Sequence, residues 1–294
     1  MKKADAQPKI EKKKKSHKKL YIALGIVAII VIVLLVMFVL PLISKSEPAV
    51  LIIDKGSVEI NHGSGWSPAA SGIALRANDA VRTLTDSQAS IIFFGSSAVR
   101  LDQNTEVKIS ELLADKENTK VSLNQESGRI WNKVTKLSGF EDYSIETPTA
   151  VATVRGTGFD SKVTGKDSDI TLIEGKLAVD SIKKEDGKKT IVSSIELNEN
   201  EAAKVEEKAL DKIQKSAAVE DDWIKGNKQK DSKFLEDIKQ KLRSKYATYI
   251  SIAKAQYGLT DADLDKYFDE YMAGKISSEQ INDALKKAGI ELSV

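Results

Sequence analysis

From Leu20 to Leu40 the chain reads LYIALGIVAIIVIVLLVMFVL, 21 residues without a charge. As a helix at roughly 1.5 Å per residue, this run spans about 31 Å, the thickness of a bilayer's hydrocarbon core. Tyr21 sits at one end, where an amphipathic ring favours the interface, and Pro41 with Ser44-Lys45-Ser46 closes the other. A cleaved signal peptide would carry an apolar region of only about 7–15 residues. Ser44 and Ser46 do form a small-x-small site, but the length favours a retained anchor over residues 20–43. Nine lysines precede the helix in residues 1–19, against Asp5 and Glu11, while Lys45 and Lys55 alone follow soon after. This asymmetry predicts a basic cytoplasmic tail and an exported remainder, with the chain held in the cell membrane by one pass.

Outside the tail, 36 basic residues stand against 41 acidic ones, so the exported part gives no electrostatic reason to bind nucleic acid. Its apolar content, 41% for the whole chain, suffices for a core. The chain has no cysteine, which excludes disulfides, thiol catalysis, Cys-ligated metals and a lipid anchor attached through Cys.

Residues 47–205 read as short strands separated by turns. Val50–Ile53, Val58–Ile60, Ser90–Phe94, Val99–Leu101, Val107–Ile109, Val121–Leu123, Ile130–Trp131, Tyr143–Ile145, Ile170–Ile173, Leu177–Val179 and Thr190–Val192 are apolar or alternating. Turn residues recur between them, Gly63-Ser64-Gly65, Asn78-Asp79, Gly128, Gly139, Gly165, Gly175 and Asp186-Gly187 among them. The pattern predicts a mainly β domain, as a sandwich, barrel or short solenoid, and periodicity does not choose among these.

Several motifs arrive in a fixed order. Gly56-Ser57-Val58 is followed by Gly65-Trp66, Gly72 to Leu75, and Asn78-Asp79-Ala80-Val81-Arg82-Thr83. Val99-Arg100-Leu101 leads to Asn104-Thr105-Glu106-Val107, and Gly128-Arg129-Ile130-Trp131 comes next. Thr147-Pro148-Thr149-Ala150 then runs into Val154-Arg155-Gly156-Thr157-Gly158-Phe159, and Glu174-Gly175-Lys176-Leu177-Ala178-Val179 closes the series. In this order and spacing the segment resembles the FecR domain, the exported β module named after the ferric-citrate signalling regulator. Asn78 replaces the usual first Gly of one element, and Gly95-Ser96-Ser97 replaces a usual Asp-Gly, which predicts a locally different turn.

Read physically, the motif residues are expected to build the module. Gly156 and Gly158 are expected at a sharp bend where a Cβ would clash, and Pro148 at a strand start or edge. Arg82, Arg100 and Arg155, three of only six arginines, are expected to clamp turn carbonyls or carboxylates such as Asp79 or Asp102. Trp66 and Trp131 are expected to pack, with Trp66 the better contact for any ligand. Thr83, Thr147, Thr157, Phe159 and Gly175 complete the set.

From residue 206 the pattern turns helical. Phe234, Leu235, Ile238, Leu242, Tyr246, Tyr249, Ile250 and Ala253 recur at three-to-four spacing within 231–256, before Gly258. Thr260 with Asp263 opens a second helix up to Gly274, and Ser277 or Ser278 a third up to Gly289. Asp261-Ala262-Asp263-Leu264-Asp265 mimics a calcium loop, but Lys266 and Met272 stand where the loop needs Gly and Glu. The only histidines, His17 and His62, fall on opposite sides of the predicted membrane span, and His62 lies in a Gly-rich turn without a nucleophile elbow. No catalytic residue, metal or cofactor is expected.

The expected function is a non-catalytic, membrane-anchored module that binds or scaffolds an envelope protein or glycan. The resemblance also implies transmembrane control of a sigma factor. That role uses a cytoplasmic helical domain before the membrane helix, for which the 19 residues before Leu20 are too few, so a sigma-factor partner is not expected. An envelope hydrolase is the third reading.

Overall fold

Fifteen consecutive residues, Thr119–Lys133, form one strand that passes straight through Gly128. Before Gly128 the buried positions are Val121, Leu123 and Gln125; beyond it Ile130 to Lys133 are all buried, Ile130 in the core shared by the two sheets and Trp131 in a separate cluster. Alternation therefore changes phase at the glycine, beside a bulge in the pairing around Glu106 and Val107. Gly128 has φ +83°, and a Cβ there would lie 2.5 Å from Thr105 Cα, so only glycine fits the bend. The sequence reading placed a turn and two separate strands here. Instead the chain stays extended, and the same strand serves two sheets.

The structure, a computed structural model, describes residues 49–114, 119–135, 140–154, 156–245, 247, 251, 254, 255 and 260–272. The expected basic tail, membrane helix, Arg155, Gly258, Gly274 and the third C-terminal helix lie outside them. Among the described residues no helix is long and apolar enough to cross a membrane.

The strands are β1 (Ala49–Lys55), β2 (Val58–Asn61), β3 (Trp66–Pro68), β4 (Ala80–Thr83), β5 (Gln88–Phe93), β6 (Ser97–Leu101), β7 (Glu106–Ala114), β8 (Thr119–Lys133), β9 (Phe140–Glu146) and β10 (Ala150–Val154). They continue as β11 (Gly158–Thr164), β12 (Asp167–Glu174), β13 (Leu177–Glu185), β14 (Lys188–Leu197), β15 (Glu201–Val205) and β16 (Gln214–Ala217). The first sheet runs β1-β5-β6-β8-β11-β12-β15-β16, using the second half of β8. The second runs β3-β2-β4-β7-β8-β9-β10-β13-β14, using the first half. Pairing is antiparallel except between β8 and β9.

One apolar cluster joins the two sheets. Leu51, Ile91, Leu101, Ile130, Phe159 and Leu172 come from the first, and Ile60, Val81, Ile109, Leu123, Ile145 and Val179 from the second. Burying each side chain of this kind contributes about 1.5–3 kcal/mol, so a chain without disulfides can hold this architecture. The mainly β expectation is met, and one core draws on both sheets. Polar contacts fix the fit: Tyr143 on β9 donates its hydroxyl to Asn132 Oδ1 on β8 at 2.9 Å, inside the core. At the bend, Gln125 Nε2 donates to the carbonyls of Gly128 and Ser161 at 3.0 and 3.1 Å.

The stretch after Val205 does not begin as helix. A 3-10 turn at Glu207–Ala209 and then β16 come first, and all four β16 residues are exposed, so no alternation marked them as a strand. Helix α1 (Asp222–Lys245) starts earlier than the periodic apolar run suggested. Asp221 caps it, accepting from the Ile224 amide at 3.0 Å. Helix α2 (Asp261–Met272) opens on the expected box: Thr260 N donates to Asp263 Oδ2 at 2.9 Å, and Asp263 N to Thr260 Oγ1 at 3.2 Å.

Candidate functional site

The phase change in β8 turns Arg129, Trp131 and Lys133 toward the outer side of the first sheet. Arg100 on β6 pairs in register with Trp131, and Asp160 on β11 does the same from the other flank. This places two arginines, a lysine, a tryptophan and a carboxylate side by side across three strands, and α1 crosses them.

Two clamps hold the helix. In the first, Asp231 of α1 is buried; its Oδ1 accepts from Arg100 and its Oδ2 from Trp131 Nε1 at 2.9 Å. Burial raises the Asp231 carboxyl above its ordinary range, opposed by Arg100, Lys133 and Trp131. In the second, Asp160 accepts from Arg129 Nε at 2.9 and 3.0 Å and from Trp223 Nε1 at 2.8 Å. Burial pushes Asp160 up to about 6, against the pull of Arg129 and Trp223. The Arg129 guanidinium also donates to Asp221 at 2.6 Å and lies 5.9 Å from the Trp223 ring centre. Burial works against the charged form of Asp221, but Arg129 and the Ile224 amide outweigh it and lower this carboxyl. Lys133 pairs with Glu174 at the margin. Beneath the helix, Trp131, Ile173 and Ile224 form a small apolar cluster of their own, separate from the core of the two sheets.

The motif residues fall into three groups. Arg100 and Trp131 belong to these clamps. Arg100 was expected to clamp a turn carbonyl or a carboxylate such as Asp79 or Asp102; the carboxylate it holds is Asp231, because its strand position points it outward, under α1. Trp131 is buried as expected, but against the helix.

A second group surrounds Trp66. The Arg82 guanidinium lies 4.3 Å from the Trp66 ring centre and bonds Glu59 at 2.6 Å. Glu59, directly opposite Arg82 on β2, displaces the expected Asp79, whose Oδ2 accepts from the Arg76 amide at 2.8 Å and whose Oδ1 is hydrogen-bonded to His62 Nδ1 at 2.7 Å. Thr83 Oγ1 donates to the Asp102 carbonyl at 2.5 Å and accepts from the Thr105 amide at 3.0 Å, tying β4 to the loop before β7.

The third group makes corners. Pro148 sits in the turn between β9 and β10, just before a strand as expected. Thr147 Oγ1 accepts from the Ala150 amide and from Ser168 Oγ, each at 2.8 Å, so this turn is stapled to β12 of the other sheet. Phe159 is fully buried in the core. Thr157 exchanges backbone bonds with Val134 at 2.9 and 3.0 Å, and its hydroxyl is buried with no partner among the described residues. Gly156 has the expected positive φ, +75°. A Cβ on Gly158 would make only ordinary contacts, so the expected clash is not there; it falls on Gly175 (φ +94°), where a Cβ would meet Gly156 O and Thr157 Cγ2, each at 2.9 Å.

Sequence reasoning missed Arg129, Asp160, Asp221, Trp223 and Asp231. Arg129 stands in a quoted motif, two positions before Trp131, and strand alternation alone would have put both on one face. The carboxylates gave no signal, since 92 and 131 residues separate Asp221 and Asp231 from their arginines. The false calcium loop resolves into helix contacts: Asp263 caps α2, Asp261 pairs with Lys254 at 2.6 Å, and Asp265 with Arg243 at 2.5 Å. Among the described residues no three His, Asp or Glu side chains converge on a site that could hold a metal. What the Arg100–Arg129–Trp131 face does show is charge-assisted attachment of a helix.

Residues 79–178 match the family model described as FecR protein. No curated protein matches the chain. Two crystal structures of a candidate anti-sigma factor from Parabacteroides distasonis ATCC 8503, at 1.65 and 2.50 Å resolution, are similar to it at 18% identity and a TM-score of 0.38. Each alignment covers 47% of this chain and 59% of that one, so the likeness spans less than two thirds of the neighbour.

Proposed function

We propose that this chain, whose residues 79–178 are a FecR domain, is a non-catalytic module tethered to the cell membrane that binds or scaffolds an envelope partner outside the cytoplasm. The observation that supports this most is where the family-motif side chains spend their polar atoms. Asp79, Arg82, Thr83, Arg100, Trp131 and Thr147 are all bonded to other parts of the same chain. Residues used this way set the shape of a surface; they do not present a nucleophile or a general base to a substrate. The membrane tether draws on the Leu20–Leu40 run, and the outward orientation on the lysines before it. The partner is an exported protein or a glycan.

A second reading is a transmembrane regulator of the type for which the FecR family is named, and it draws on the same family match. The two separate on partner identity. Affinity capture of the full-length chain from cross-linked native membranes, read by mass spectrometry, is expected to recover exported wall or secretion components. Reproducible recovery of a sigma factor would overturn the scaffold reading in favour of the regulator.

A further inference from the structure

Helix α1 is attached unlike any strand of the two sheets. The β-strands share a continuous core and backbone ladders, whereas the helix rests on a separate cluster of Trp131, Ile173 and Ile224, with Trp223 and Ala218 at its edge. Its other attachments pass through carboxylates. Asp231 bridges Arg100 and Trp131, Asp160 bridges Arg129 and Trp223, and Asp221 takes the remaining side of Arg129. A small apolar contact with charged clamps is the kind of attachment that opens locally while the rest of a domain stays folded.

We propose that α1 is a detachable strap over the Arg100–Arg129–Trp131 face, with proton uptake by Asp160 beneath it, whose Arg129 keeps Asp221 as a partner, favouring the strapped form and proton loss favouring release of the positive face.

The groups around each carboxylate fix the sign. Asp160 faces Arg129 from β8 and Trp223 from α1, with Asp221 just before the helix and Lys162 of its own strand near Asp221. Asp231 faces Arg100 from β6 and Trp131 and Lys133 from β8, the last paired to Glu174. Strapping buries Asp160 and Asp231, and burial raises both carboxyls. Lifting the helix returns them toward water and toward the ordinary carboxylate range, so the strapped form holds protons more tightly and acid favours it. Asp221 acts in the opposite sense, but only as pH falls from the ordinary carboxylate range through its own lowered one. For Asp160 alone, a carboxyl near 6 against an ordinary 3.8 shifts the strapped-to-released ratio about tenfold between pH 7.5 and 5.0.

Two measurements on the full-length chain in detergent test this. The first is hydrogen exchange of residues 222–231, corrected for intrinsic rates, against β8 as internal reference. Protection of the helix is expected to rise about tenfold from pH 7.5 to 5.0 while that of β8 holds, and Asp160→Asn is expected to flatten the dependence. The second leaves every clamp intact. Because the chain has no cysteine, Lys228→Cys on the helix and Thr164→Cys on β11 are the only labelling sites, and a spin-label distance distribution between them is expected to narrow toward the short distance in acid. A helix as protected as β8 at both pH values, with one unchanging distance, would overturn the proposal. So would protection or the short-distance population falling in acid.

Discussion

Arg100 on β6 and Asp231 on α1 form an ion pair with side chains 7% and 9% exposed, across 131 residues of sequence. Removing one member leaves the other charge buried and unpaired, which costs about 3–5 kcal/mol. Asp231→Ala also orphans the Trp131 indole N–H. The variant is expected to lose its helix attachment and keep its two sheets: limited proteolysis should cut within 222–245 while β1 to β15 resist. Cleavage at the wild-type rate would show that the clamp contributes nothing to docking.

Within the core, Tyr143 and Asn132 make the corresponding contact between the two sheets. Tyr143→Phe keeps the ring but leaves Asn132 Oδ1 without its donor, at a cost of about 1–3 kcal/mol. Denaturant unfolding should show a lower midpoint with an unchanged slope. An unchanged midpoint would mean the hydroxyl is dispensable.

Two glycines at positive φ separate strain from crowding. Gly175 has no room for a Cβ against Gly156 O, whereas Gly187, at the β13–β14 turn with φ +72°, has open space. Gly187→Ala is expected to cost about 1–2 kcal/mol for the left-handed conformation alone. Gly175→Ala adds the clash and should cost clearly more in the same unfolding experiment. Equal losses would contradict the packing at this corner.

The pH dependence of overall stability follows the same carboxylate. Asp160 is raised from 3.8 to about 6 by burial, so its contribution is complete below its ordinary range and is lost as pH rises through about 6. The thermal midpoint of the wild type should therefore increase from pH 7.5 to 5.0, and Asp160→Asn should lose most of that increase. The full shift corresponds to an energy on the order of 3 kcal/mol. Asp221 and Glu146 carry lowered carboxyls and oppose this only in stronger acid.

Val107-Lys108-Ile109 was legible as a strand with one wet face, because its alternation shows directly; Val99-Arg100-Leu101 alternates too, but its polar position is buried under α1. Strand β8 was half legible. Its two apolar pieces were visible, but the phase change at Gly128 looked like a break because alternation assumes a constant register. β16 was invisible, since an edge strand with every side chain exposed carries no apolar pattern. For the site, local sequence gave the strand start at Pro148 and the capping box of α2, both decided within a few residues. Arg82 and Arg100 do hold carboxylates, but not the two offered as examples, for the opposite reason. Sequence proximity favoured Asp79 and Asp102, while cross-strand register supplied Glu59 and tertiary packing supplied Asp231.

The proposed membrane tether is tested most directly by the side of the membrane on which the β domain lies. With no native cysteine, Thr164→Cys on β11 and Ser16→Cys in the basic tail can each be probed alone with a membrane-impermeant maleimide. In intact cells the Thr164→Cys protein is expected to label, and the Ser16→Cys protein only after the membrane is opened. Labelling at position 16 with protection at 164 would place residues 79–178 in the cytoplasm and contradict an extracytoplasmic binding module.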